Sequence, residues 1–242
     1  MIKISLTDNY AGFQISGDYD DLDFLYDSIY YLIKEEPVSD GEYIMQNHLF
    51  AFLYEVRHAY QGSRDIEIIN NGIRPEIREW KNIKKKDIAD NNLYYSFNYL
   101  LPDLVEDIIL VKYFINKVNK KDRDICNPYI NYVNMFYSIV VYRIAPMLTE
   151  TQFRKIKKGL IDSTILDSIF CHLWFEQISI DYASMNKEKR KTEIMHILDA
   201  IYNYGDYEDY YSLKLKIKNI CKEENCSPDD LHYEEYPNEI EW

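Results

Sequence analysis

Glycine, proline and cysteine are all scarce in this chain of 242 residues, with seven, seven and four copies. The glycines stand at 12, 17, 41, 62, 72, 159 and 205, and they never form GxGxxG or GxxxxGK, so the usual backbone cradles for nucleotide phosphates are missing. HExxH, CxxC and GxSxG are missing too, which removes the standard zinc-protease, zinc-ribbon and hydrolase-elbow readings. Cys126, Cys171, Cys221 and Cys226 are irregularly spaced and give no disulfide framework, a pattern suited to a reducing compartment. A long apolar run is also lacking. The best candidate, Ile130 to Leu148, is broken by Asn131, Asn134, Arg143 and Pro146, so it falls short of the ~18 apolar residues of a membrane span and reads as a buried helix. The opening MIKISLTDN has no basic region followed by an apolar stretch, so no secretory signal is expected there. These absences predict a cytoplasmic protein with no membrane partner, no cofactor and no metal site.

Basic charge is in deficit: 28 Lys and Arg face 41 Asp and Glu, for a net charge of -13. The deficit sits at the two ends. Residues 1–50 hold two basic against ten acidic side chains and residues 201–242 hold four against eleven, leaving the middle slightly basic. An acidic chain of this kind disfavours nucleic acid or anionic lipid as its main partner and suits a protein with a basic surface; a second copy of the chain is the other partner considered. The 24 tyrosines accompany many Ile, Lys and Asn residues, all with AT-rich codons, so genome composition explains them more simply than a recognition surface does.

Periodicity then gives the elements. Ile2, Ile4 and Leu6 alternate with Lys3, Ser5 and Thr7; after Asp8-Asn9, Phe13 and Ile15 alternate with Gln14 and Ser16, which predicts a β-hairpin. Beyond Gly17, Leu22, Leu25, Tyr26, Ile29, Leu32 and Ile33 recur at helical spacing behind Asp18, Asp20 and Asp21, acids that favour a helix N-terminus. A break at Pro37–Gly41 precedes a second helix, Tyr43 to Gln61, stopped by Gly62. Ile66 and Ile68 mark a third strand, residues 73–91 a short helix and loop, and Leu93, Tyr95, Phe97 and Tyr99 a fourth strand. Pro102, with Asp103, Glu106 and Asp107 behind it, opens a helix to Val118. Helices are expected over 128–148, 150–160 (opened by a Thr149/Gln152 capping box), 162–185, 188–204 and 207–224, with a further start at Ser227–Asp230. The fold class is α+β: a small, mostly antiparallel sheet of about four strands packed by helices, then an all-α carboxy-terminal half. The division falls as 1–120 and 121–242, around a polar break at 117–127, with one continuous domain as the alternative.

Four groups of side chains invite a functional reading. In EVRHAYQG, Glu55 and His58 are one helical turn apart, the arrangement of a carboxylate-held general base, and Arg57 lies beside them; Glu67 and Asn98, on the polar faces of their strands, are the residues to complete such a site. The simpler reading is that Arg57 and His58 finish a helix, where cations suit the dipole. Asp20, Asp23 and Asp27 stack along one ridge, either a solvated face or a docking ridge for a basic partner. Three basic clusters, Lys81 with Lys84–Lys86, Arg154/Lys155/Lys157/Lys158 and Lys187/Lys189/Arg190/Lys191, would bind nucleic acid or phosphate only if they converged. Cys221, Cys226 and His232 lack the spacing of a zinc site.

GDYDDLDFLYDSI, EVRHAYQGSRDIEIINNG and NLYYSFNYLLPDLV, in that order, resemble a family of uncharacterised bacterial proteins, chiefly Gram-positive, that share a domain of unknown function. The resemblance spans roughly residues 10–115. It implies a bacterial, cytoplasmic protein and brings no catalytic residues with it. The function expected from all of this is non-enzymatic protein–protein interaction, as a regulator, immunity protein or phage-defence component. The alternatives are a small hydrolase or nuclease-like enzyme at Glu55, Arg57 and His58, and nucleic-acid or phosphate binding through the basic clusters.

Overall fold

The alternation at the amino terminus becomes a hairpin, β1 (Lys3–Leu6) and β2 (Gly12–Gly17), in a computed structural model that describes residues 1–82, 84, 89–162, 169–231, 236, 237 and 239–242. Next come α1 (Tyr19–Ile33), α2 (Asp40–His58), β3 (Asp65–Asn70), α3 (Pro75–Trp80), β4 (Asn91–Leu100) and α4 (Leu101–Lys117). The helical half contributes α5 (Pro128–Ile144), α6 (Glu150–Asp162), α7 (Ile169–Ala183), α8 (Lys187–Tyr202) and α9 (Glu208–Glu224). The fold is therefore α+β with a helical carboxy-terminal half. No described helix is long and apolar enough to cross a membrane.

All strand pairs are antiparallel, in the order β1-β2-β4-β3. The register aligns Ile4 with Ile15 and Phe97, and Leu6 with Phe13 and Tyr99, so period-2 alternation gives the sheet one apolar face. Phe52 of α2 seats on that face, its ring 5.0 Å from Tyr99 and 6.0 Å from Phe97, and it also reaches Phe136 of α5 at 5.9 Å. Gly12 lets β2 and β4 approach closely, because a Cβ there would overlap the Tyr99 carbonyl oxygen.

Local chemistry sets the helix ends. Asp18 and Asp21 form a reciprocal capping box on α1, Ser39 caps α2, and Asn127 and Asn186 cap α5 and α8. Thr149 and Gln152 exchange the bonds expected of them at the start of α6. Helix α2 ends at His58, earlier than its periodicity suggested. A single π-helical turn, Ala59–Ser63, carries the chain to Gly62, whose φ of 79° only glycine adopts readily. The expected helix over 162–185 is seen from Ile169 on, residues 163–168 lying outside the described ones.

One apolar core runs through both halves: α5 packs on α1 and β1, and α4 packs on α7 and α8. Polar contacts cross the same seam. Tyr132 donates to the Asp21 carbonyl at 2.9 Å, and Tyr182 to the Tyr10 carbonyl at 2.6 Å. Arg190, read in the sequence as part of a basic cluster, is instead fully buried. Its guanidinium donates to four carbonyls, those of Asn9, Tyr182, Ala183 and Glu241, and so ties the hairpin loop, the end of α7 and residue 241 together. A planar group with five fixed N–H donors is the side chain that can do this, and burial without those acceptors would be unfavourable by several kcal/mol. Replacing Arg190 by Met is expected to destabilise the protein by about 3–5 kcal/mol, seen as a lower urea midpoint, since it removes four hydrogen bonds that tie three separate segments together.

A second polar joint lies between α6 and α8. Asp199 pairs with Lys155 at 2.8 Å and accepts from the phenols of Tyr202 and Tyr207 at 2.9 and 3.0 Å. Burial opposes its charge, but Lys155 and the two phenols outweigh it and hold the carboxyl below its ordinary 3.8. A depressed acid stabilises the fold above its unfolded value and stops doing so as the pH falls through the folded one. The melting-temperature gap between wild type and Asp199→Asn is therefore expected to be flat near neutrality and to shrink once the pH drops below 3.8; a gap independent of pH would contradict this assignment.

Candidate functional site

Helix α4 is enclosed by β2, β4, α1, α2, α7 and α8, yet it carries Asp103, Glu106 and Asp107. Spacings of three and four put these carboxylates on one side of the helix. That side meets His48 from α2 and His172 from α7. His48 Nε2 lies 3.3 Å from Asp107 Oδ1 and 3.7 Å from Glu106 Oε2, while His172 Nδ1 lies 3.7 Å from Glu106 Oε1. The two imidazoles meet edge to face, 5.9 Å apart at 81°. Ser179 of α7 donates to Asp103.

Burial dominates the electrostatics of this cluster. It opposes charge on His48, but Glu106, Asp107 and Asp103 outweigh it and the imidazole is pushed up to about 10. Burial likewise raises Asp103 and Asp107 to about 6, against the lowering effect of His48. The phenols of Tyr99 and Tyr137, buried beside Asp107, are pushed well above 10. The contact between His48 and Asp107 has ion-pair distance without hydrogen-bond alignment. Among the described residues, His48 Nε2 and His172 Nδ1 are buried with no well-aligned hydrogen-bond partner. Unpartnered buried polar atoms are rare in folded proteins, and here two converge. Among the described residues, His48, Glu106 and His172 are the one group of potential ligands whose donor atoms all fall within 4.8 Å of each other.

The cluster forms one wall of an open cleft of about 1070 Å³ between α2, α4, α7 and the segment around Asp229. Among the described residues, six carboxylates line it, those of Asp40, Glu55, Asp103, Glu106, Glu176 and Asp229, and neither Lys nor Arg does. Aromatic surface comes from Tyr43, Phe50, Tyr54 and Tyr99.

The residues singled out by sequence are distributed differently. Glu55 does line the cleft, but both its oxygens are held by Arg64, at 2.8 and 2.9 Å. His58 bonds the Tyr54 carbonyl through Nδ1 at 2.8 Å and lies over the Tyr54 ring at 3.8 Å, while Arg57 flanks that ring at 5.9 Å. Both occupy the last turn of α2, where cations suit the dipole. Glu67 and Asn98 alternate with residues on the apolar face of the sheet, so they point away from α2 and do not join Glu55 or His58. Asp20, Asp23 and Asp27 do form a ridge on α1. Burial, then the charges of Asp27 and Asp20, raise the Asp23 carboxyl.

Some members of the basic clusters are paired, Arg154 with Glu150 and Lys191 with Glu188 on their own helices and Lys155 with Asp199 across α6 and α8. Lys85 and Lys86 lie outside the described residues, as does His232, the proposed companion of Cys221 and Cys226. The four cysteines are free thiols.

Sequence reasoning missed His48, His172 and the buried carboxylates of α4. Asp103, Glu106 and Asp107 looked like the acidic first turns of a helix, and each histidine stood alone in its stretch. The available signal was three acids in a helix whose other positions are almost all apolar. No curated protein and no solved structure matches the chain. A family model does match, well beyond the 10–115 stretch that carried the resemblance, and over residues 2–242 the chain belongs to the family described as Domain of unknown function (DUF6904).

Proposed function

We propose that this chain works by binding a basic segment of a protein partner in the acidic cleft between α2, α4 and α7. The observation that carries the reading is the lining itself, which among the described residues holds six carboxylates and neither Lys nor Arg. Arg64 neutralises Glu55 alone; Asp40 and Asp229 are exposed, Glu176 is half-buried, and the exposed ring of Tyr43 is available to an ammonium or guanidinium group. Complementary charge of this kind steers association and discriminates against acidic partners. The ridge of Asp20, Asp23 and Asp27 offers a second docking place, where burial and then the charges of Asp27 and Asp20 raise the Asp23 carboxyl. In this reading the molecule is a cytoplasmic bacterial regulator, immunity protein or phage-defence component. Four free cysteines fit a reducing compartment.

A fluorescent lysine-rich peptide tests the proposal by anisotropy. Binding is expected at low ionic strength and should weaken steeply as salt is added, because exposed charges are screened over about 10 Å at 0.1 M. Asp40→Asn combined with Glu176→Gln should weaken it by about five- to tenfold, the scale of two partly exposed ion pairs. Neutralising Asp20, Asp23 and Asp27 should leave it unchanged; the opposite pattern moves docking to the ridge. Absence of binding at low salt removes the reading altogether.

A further inference from the structure

We propose that His48, Glu106 and His172 hold a divalent transition-metal ion of the zinc kind, with an open coordination position toward the cleft. The inference stands apart from the docking of a basic partner, since an ion site survives even if no basic ligand binds. Its first support is the convergence of donors. His48 Nε2 and His172 Nδ1 each lie 3.7 Å from a different oxygen of Glu106, and all these atoms fall within 4.8 Å of one another. Two donors each about 2.1 Å from a tetrahedral ion are about 3.4 Å apart, so an ion fits between them with small side-chain adjustments.

The second support is what the donors lack. Among the described residues, His48 Nε2 and His172 Nδ1 are buried and make no well-aligned hydrogen bond. Asp107 is fully buried beside them, with Oδ1 3.3 Å from His48 Nε2. A proton on His48 places one positive charge among three carboxylates and leaves His172 unsatisfied. A divalent ion supplies two charges and takes a lone pair from each imidazole, while Asp107 adds an oxygen at its edge. Ordinary hydrogen bonding does not account for both unpartnered imidazoles at once.

Donor chemistry narrows the ion. Two imidazole nitrogens with one carboxylate suit zinc and its neighbours, whereas magnesium and calcium select oxygen. Three protein donors leave a fourth position free, as in sites that accept water or an incoming ligand. That position faces outward, because His172 keeps 30% of its side chain exposed and lines the cleft, whereas Glu106 behind it keeps 6%. All three donors stand on packed helices, which holds the site open before the ion arrives.

The full-length chain, stripped with a chelator and dialysed, should take up one equivalent of Zn²⁺ by calorimetry, with a rise in melting temperature. Co²⁺ should give visible absorption of a low-coordinate nitrogen and oxygen site, and equimolar Mg²⁺ should not compete. His172→Ala and Glu106→Gln should each lower Zn²⁺ affinity by about tenfold or more, while His58→Ala and His196→Ala leave it unchanged. Glu106→Gln keeps the shape of the site, so its circular dichroism separates lost binding from lost folding should His48→Ala or His172→Ala fold poorly. The inference is overturned by the absence of saturable one-equivalent uptake, by unchanged affinity in folded Glu106→Gln, by Mg²⁺ competing at equal concentration, or by His58→Ala weakening uptake as much as His172→Ala.

Discussion

A helix packed by neighbours along most of its length has little water to spare for charge, and that constraint on α4 organises the rest of the molecule. Leu104, Val105, Leu110, Val111 and Phe114 bury its apolar positions, and the same packing takes Glu106 and Asp107 out of solvent and leaves Asp103 half-buried at the cleft. Isolated buried carboxylates are too unfavourable to persist ionised, so the helices that cover α4 must bring partners to them. Helix α2 brings His48, and α7 brings His172 and Ser179. The positions of α2 and α7 on α4 are thus fixed by polar matching as much as by apolar packing, and the cleft is what remains open where they fail to meet.

This arrangement explains which parts of the molecule were legible in the chain and which were not. Period-2 and period-3.6 patterns are local, and they identified the hairpin, β3, β4 and most helices to within a few residues, because Ile4, Ile15 and Phe97 alternate as a half-buried strand must. Caps at Asp18, Ser39 and Thr149 are equally local. The candidate site is not local. Its donors come from three helices far apart in sequence, and nothing in the neighbourhood of His48 or His172 says that Glu106 waits opposite. By contrast, EVRHAYQG looked rich because its groups are adjacent in sequence, and adjacency on one helix turned out to mean a helix end, with Glu55 folded onto Arg64 and His58 onto Tyr54. Glu67 and Asn98 failed to join for a related reason: alternation sent them to the other side of the sheet.

Charge reading has the same asymmetry. Net acidity was visible by counting, and its concentration in the first fifty residues anticipated acidic surfaces on α1 and α2. Counting treated Arg190 as one more surface cation, whereas its guanidinium is the joint between the hairpin loop, the end of α7 and the final described residues. A charged side chain amid other charged side chains gives no hint of such a role, since a set of converging carbonyls is a property of the assembled backbone alone.

Helix α7 has one further property. Two residues beyond His172 it carries Trp174, buried to 8% exposure, with its indole N–H donated to the Ala200 carbonyl at 3.0 Å and its ring beside Tyr207 and Tyr210. Trp80, by contrast, stands 81% exposed on α3, away from this contact. The third tryptophan, Trp242, is half-buried, so Trp174 is a shielded optical probe on the helix that borders the cleft, emitting at shorter wavelength than the solvated Trp80. Movement of α7 against α8 becomes a change in the balance of two colours, readable without a label.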